Sequence, residues 1–335
     1  MRRLLSLIML ALAAGTLIPA AGSLAAVKPP ARPSLQRFGV RLVDVPVSQR
    51  GDPRARRYII DDLPSGTVIH RRILVLNQGM RRARFTVYPD AALISHGLFA
   101  GDAGATPNEL TSWISVQNPA LTLGPYASVM DMITIRVPRE ATRGEHYGVI
   151  WVQQVAHAQA ANGYGITEVG RVGIRVYLAV GRGGAPPTTF AITSITGHWS
   201  ASGQSFILAH VHNTGGRAVD LNGTASLTGG PGNVSAGSFP AQQIVTLAPG
   251  QSGNMTFAPD RHLSAGPWKV KVALVSGFTT STASAAIEFS ATAAPRTGLP
   301  VMLWLAAFVL AAALALAVAA VAVARHAQRS RRKPA

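Results

Sequence analysis

Acidic, histidine and cysteine side chains carry most protein chemistry, and this chain is poor in all three. It has 14 Asp and Glu, 9 His and no Cys in 335 residues. Without cysteine there is no thiol nucleophile, and no Gly-x-Ser-x-Gly elbow presents a serine. Asp61 and Asp62 adjoin, but neighbours on an extended chain point to opposite faces, so they are not placed to act as a joint acid and base. His210 and His212 have the i, i+2 spacing that puts two imidazoles on one strand face, without a third ligand at a fixed spacing. Gly229-Gly230-Pro231-Gly232 lacks the Lys and the following helix of a phosphate loop. The sequence predicts no enzyme, no cofactor and no bound metal.

Arginine and aromatic residues are the positive candidates. Arg81, Arg82 and Arg84 crowd the segment after Asn77, and Tyr88, Trp113 and Tyr126 follow in the same half of the chain. Aromatic faces hold the C–H surfaces of sugars, and guanidinium groups pair with carboxylates or phosphates. These six are the candidate contacts for a glycan or an anionic wall polymer. Trp113 taken alone also suits a core, whereas clustered arginines must face water or a partner. The formal charge of +17 is unevenly spread. Arg2 and Arg3 lie at one end, and Arg325, Arg329, Arg331, Arg332 and Lys333 at the other. About +10 remains between them, which favours anionic partners. No basic helix or aromatic platform motif marks a nucleic-acid binder.

These residues sit on a pattern of short strands. Apolar alternation marks Phe38 to Val47, Val68 to Leu76, Arg84 to Tyr88, Val129 to Val137, Gly148 to Val155 and Arg171 to Val180, with shorter runs at Arg57 to Ile60 and Trp113 to Val116. Turn residues separate them, among them Leu63-Pro64-Ser65-Gly66, Leu123-Gly124-Pro125 and Asn162-Gly163. No sustained helical period interrupts the run. A second series occupies Phe190 to Phe289, with Thr279 to Ser284 read as a low-complexity loop. About seven strands in roughly 100 residues is an immunoglobulin-like count. The two series share landmarks: ILVLNQG at Ile73 to Gly79 returns as AHVHNTG at Ala209 to Gly215, and each is followed by a Thr-Leu-x-Pro turn. The repeat predicts two modules of one sandwich type, with Asn-x-Gly supplying positive-φ turn positions.

The ends read as targeting segments. Residues 1–25 have the basic start, apolar run and small-residue site of a secretory signal peptide. Residues 299–324 carry no charge and are long enough to cross about 30 Å of hydrocarbon. The basic residues after them predict a cytoplasmic C-terminus. The expected layout is a lead-in at 26–37, a β-sandwich at 38–181, a linker at 182–189, a second immunoglobulin-like sandwich at 190–291, a stalk at 292–298, a transmembrane helix at 299–324 and a tail at 325–335. The expected fold is thus all-β, two immunoglobulin-like sandwiches plus one C-terminal membrane helix. The expected location is the cell membrane, single-pass, with the N-terminal part outside.

Several pieces of the first block resemble the opening of the peptidoglycan-binding domain of WxL-interacting proteins. They are Pro46-Val47-Ser48-Gln49, Tyr58, Asp62-Leu63-Pro64-Ser65-Gly66, Val75-Leu76-Asn77, Ser112-Trp113-Ile114, Leu121-Thr122-Leu123 and Val137-Pro138 through Gly144-Glu145-His146-Tyr147-Gly148-Val149-Ile150. The resemblance implies a membrane-anchored surface protein whose first sandwich binds peptidoglycan, with the second as a spacer or a dock for another surface protein. A second reading from the strand pattern is an envelope assembly factor or chaperone that binds protein clients by adding their strand to an open sheet edge.

Overall fold

The computed structural model describes residues 35–159, 165–200, 203–259, 263–289 and 320–321. The signal peptide, stalk and tail, and the Asn162-Gly163 turn, lie outside the described residues. So does the span at 299–324, except for helical Ala320 and Val321. Among the described residues no helix is long and apolar enough to cross a membrane. On that finding the single-pass membrane placement expected from the sequence is corrected: the described chain supplies no spanning helix.

The chain is all-β. In order, its strands are β1 (Phe38–Leu42), β2 (Ile59–Leu63), β3 (Val68–Asn77), β4 (Ala83–Ser95), β5 (Leu98–Gly101), β6 (Ile114–Val116), β7 (Ala120–Leu123), β8 (Ser128–Arg136), β9 (Gly144–Gln159) and β10 (Gly165–Val180). There follow β11 (Phe190–Trp199), β12 (Ser205–Asn213), β13 (Val219–Thr228), β14 (Ala236–Pro240), β15 (Val245–Leu247), β16 (Ser252–Phe257), β17 (Gly266–Ser276) and β18 (Thr279–Phe289). A short α-helix, α1 (Glu109–Trp113), escapes a search for helical period because it is a single turn. Asn108 and Thr111 close a reciprocal capping box that fixes it.

Four sheets form. The first sandwich pairs a sheet of order β1-β3-β8-β6 with one of order β2-β10-β9-β4-β5, to which β7 is attached through β4. Alternate residues of β3 and β8, among them Ile73, Val75, Ile133 and Ile135, meet Phe85, Val87, Ile150, Val152, Ile174 and Val176 from the opposite sheet, all buried. Period-2 alternation places one face of each strand in this core. The second sandwich pairs β11-β12-β16 with β14-β13-β17-β18, with β15 on β13. Its core is built on Ile207, Val211, Met255, Phe257, Leu221, Leu227, Val272 and Phe289. The segment read as a low-complexity loop, Thr279 to Ser284, is half of strand β18. Thr and Ser suit a strand with one wet face, so their polarity hid the element.

Asn77 and Asn213 are buried and act through their side chains. The Asn77 amide donates to the carbonyls of Arg81, Leu123 and Gly124, and its oxygen accepts from Gly79 N at 3.0 Å. Asn213 donates to Arg217 and Leu247 and accepts from Gly215 N at 3.0 Å. Each Asn thus ties two turns together. The glycines do not serve the positive φ expected from sequence. A Cβ on Gly79 would come within 2.4 Å of Gln36, and one on Gly215 within 2.5 Å of the Pro187 carbonyl. In both sandwiches glycine is needed because the segment leading into the first strand crosses directly over it.

The sandwiches touch. Ile60, Ile94, Tyr177 and Ala218 form a small shared core. Thr246 N donates to Gly97 O at 2.8 Å, and the Gln251 amide to Ile94 O at 3.1 Å. Charges fill the rest of the junction. Asp220 of the second sandwich accepts from Arg175 (3.3 Å), Tyr177 (3.2 Å) and Thr246 (2.7 Å). Glu145 accepts from Tyr147 OH and from Ala218 N, and burial raises its carboxyl above the ordinary range.

Candidate protein-binding edge

The longest pairing in the molecule makes the site. Strands β9 and β10 run antiparallel from Gly144–Val180 to Gln159–Gly165 without a break in register. On its other side β10 is covered only at Val176 to Val180, where β2 pairs with it in parallel. From Gly165 to Arg175 the outer edge of β10 has no strand partner among the described residues. Such an edge presents a row of backbone donors and acceptors ready for another strand.

The arm changes character along its length. Near the body it is braced on both faces. Leu35 and Phe38 lie so close to Gly170 that a Cβ there would meet Leu35 Cδ1 at 2.6 Å. Gln36 N donates to Gln154 Oε1 at 2.9 Å. On the outer face Tyr88 OH donates to Gln153 Oε1 at 2.8 Å, and Arg171 Nε contacts both that oxygen (2.7 Å) and Tyr88 Oη (3.0 Å). Beyond Gly170 the core ends, but apolar residues continue. Val155 and Val169 form a cross-strand pair, 40% and 42% exposed, and Ile166 on the opposite face is 45% exposed. β-branched residues on a solvated arm give a stiff, extended edge with apolar ground on both faces.

The six residues singled out from sequence fall into three settings. Arg81, Arg82 and Arg84 are exposed at the start of β4. Tyr126 stands beside them through Asn77: its N–H donates to Gly79 O at 3.2 Å, and its ring is 71% exposed. Tyr88 belongs to the hairpin brace described above. Trp113 is 6% exposed in the first core, edge-on to His146 with ring centroids 4.8 Å apart. Sequence reasoning marked the strand as far as Val155 but singled out none of Val155, Ile166 and Val169, because Ala156 to Gly170 is nearly half Ala and Gly and has few large apolar residues. The Asn-Gly pair at 162–163, with Thr167 and Val169 after it, was the available signal for a longer hairpin.

No family model matches the sequence, and no curated protein does. Solved structures to which the chain is similar include several chaperones. The Pseudomonas aeruginosa CupB2 chaperone is 11% identical, with a TM-score of 0.37, and the match covers 69% of this chain and 98% of that one. A structure of the Salmonella enterica SafA pilin in complex with the SafB chaperone matches at 11% identity and a TM-score of 0.38, covering 77% and 98%. The E. coli chaperone DraB matches at 14% and 0.35, covering 70% and 96%. Because no family model matches the sequence, the resemblance drawn from it to WxL-interacting proteins is corrected, and with it the expectation of peptidoglycan or a wall polymer as the partner. Physically, the quoted motifs are strand ends, proline turns, short helical turns and the loop that crosses from β8 to β9, which many sandwiches share.

Proposed function

We propose that the chain is a chaperone-like assembly factor that binds an extended segment of a client protein by strand addition. The supporting observation is the open edge of β10 between Gly165 and Arg175, carried on an arm that extends past the core. Main-chain hydrogen bonds to that edge would supply affinity, and contacts to Ile166 on one face and Val155 and Val169 on the other would read alternate client side chains. The edge has few of the devices that keep sheet edges unpaired. It has no proline and no bulge in its register with β9, and its three charged residues, Glu168, Arg171 and Arg175, are never adjacent. The parallel partner β2 already shows that this side of β10 accepts a strand.

A displayed library of peptides of about ten residues, the length of an ordinary strand, tests the reading on the full chain. Selected binders should alternate apolar and polar residues, and Ile166→Lys with Val169→Lys should abolish their binding while leaving the unfolding midpoint unchanged. Binders that tolerate both substitutions would place recognition elsewhere and end this reading.

A further inference from the structure

At the opposite end of β10 three chain segments enclose an open, polar pocket of about 590 Å³. They are the β2–β3 turn, the β8–β9 loop and the start of the link to β11. The frame is held by backbone bonds. Gly66 N donates to Val137 O (2.9 Å), Ala141 N to Pro138 O (3.3 Å) and Gly181 N to Leu63 O (3.2 Å). Into this frame each of two segments contributes arginine: Arg139 and Arg143 from the loop, Arg182 from the link. All three are exposed, and none makes an ion pair or side-chain hydrogen bond among the described residues. Glu140 is the only acid in the lining. The neighbouring acid, Glu109, is engaged by Thr142 and His146.

We propose that this pocket binds a multiply charged phosphoryl group, held by Arg139, Arg143 and Arg182. Guanidinium forks match phosphoryl oxygens in charge and geometry, and Arg54, Arg71, Arg72 and Arg175 elsewhere in the chain use theirs on carboxylates. Three like charges facing one cavity repel one another unless an anion lies between them. Because Arg182 opens the link between the sandwiches, a bound anion would also pin that link to the first sandwich.

The test is calorimetric titration of the full chain with inorganic pyrophosphate at fixed ionic strength. Arg139→Ser, Arg143→Ser and Arg182→Ser together should weaken binding at least about tenfold, the scale of one lost charge-assisted pair. Arg81→Ser, Arg82→Ser and Arg84→Ser together remove the same charge elsewhere and should change it less than about twofold. Glu140→Gln should tighten it, a gain that no folding defect can imitate. Competition by phosphatidylglycerol but not phosphatidylcholine vesicles would assign the group to a lipid headgroup, and its absence to a soluble phosphate. No saturation by about 10 mM, or equal weakening by both triple substitutions, would overturn the proposal.

Discussion

Asn77 in the first sandwich and Asn213 in the second bridge corresponding turns, and among the positions where those turns differ the one after proline matters most. The second sandwich puts Gly250 at the left-handed position after proline, with φ +76°. The first puts Tyr126 there, with φ +54°. The hairpins differ in a parallel way. The free edge of β10 carries Ile166 and Val169, whereas β18, at the edge of its own sheet, is Thr, Ser and Ala from Thr279 to Ala286. At these two positions the second sandwich uses residues that suit a turn and a wet strand face, whereas the first exposes aromatic or apolar surface. Strained turns and exposed apolar surface of this kind cluster at functional sites in proteins generally.

Breaking the shared lock should have the largest effect. Asn77→Ala or Asn213→Ala strips partners from buried backbone groups and should cost about 2–4 kcal/mol, read as a lower urea midpoint. A smaller cost than about 1 kcal/mol at either site would show that the Asn bridges are not equivalent. Exchanging the turn residues sharpens the contrast. Gly250→Tyr should destabilise by about 1–2 kcal/mol, the cost of a left-handed side chain. Tyr126→Gly should shift stability by less than about 1 kcal/mol, since relieved strain is offset by a more flexible unfolded chain.

The junction supplies a pH dependence. Burial raises the Glu145 carboxyl above its ordinary 4.5, against the pull of Tyr147 and Ala218. The folded value exceeds the unfolded one, so this group's contribution is complete below about pH 4.5 and is lost as pH rises through the folded value. Glu145→Gln should therefore gain stability relative to the native chain as pH is raised from 4 to 8. A stability difference that stays flat across that range would rule out a buried carboxyl as the cause. The smallest effect is expected for Ile166→Lys and Val169→Lys, within about 0.5 kcal/mol of the native stability, because neither packs in the core.

Much of the fold was legible in the sequence. The alternation of Val68 to Leu76 and Val129 to Val137 marked the strands whose inner faces build the first core, and the repeated Asn-x-Gly marked the two modules. What it concealed has physical causes. The far half of β10 has no core to face, so nothing in its sequence needs to alternate. Strand β18 is polar because one of its faces is wet. Trp113, chosen for its aromatic face, is buried beside His146 by a one-turn helix too short to leave a period. The open edge could not be read at all, since an unpaired strand is defined by what fails to come beside it. The parallel strand β2, which begins opposite Val176 and leaves the rest of β10 uncovered, reveals it.

Amide hydrogen exchange would test the strand-addition reading most directly, comparing Gly165 to Arg175 with Thr279 to Phe289 in one sample of the full chain. The ligand would be a peptide of about ten residues alternating valine and serine. Strand addition predicts that the peptide slows exchange along β10 in alternate residues and leaves β18 unchanged. Protection that appears on both strands equally, or on neither, would contradict it.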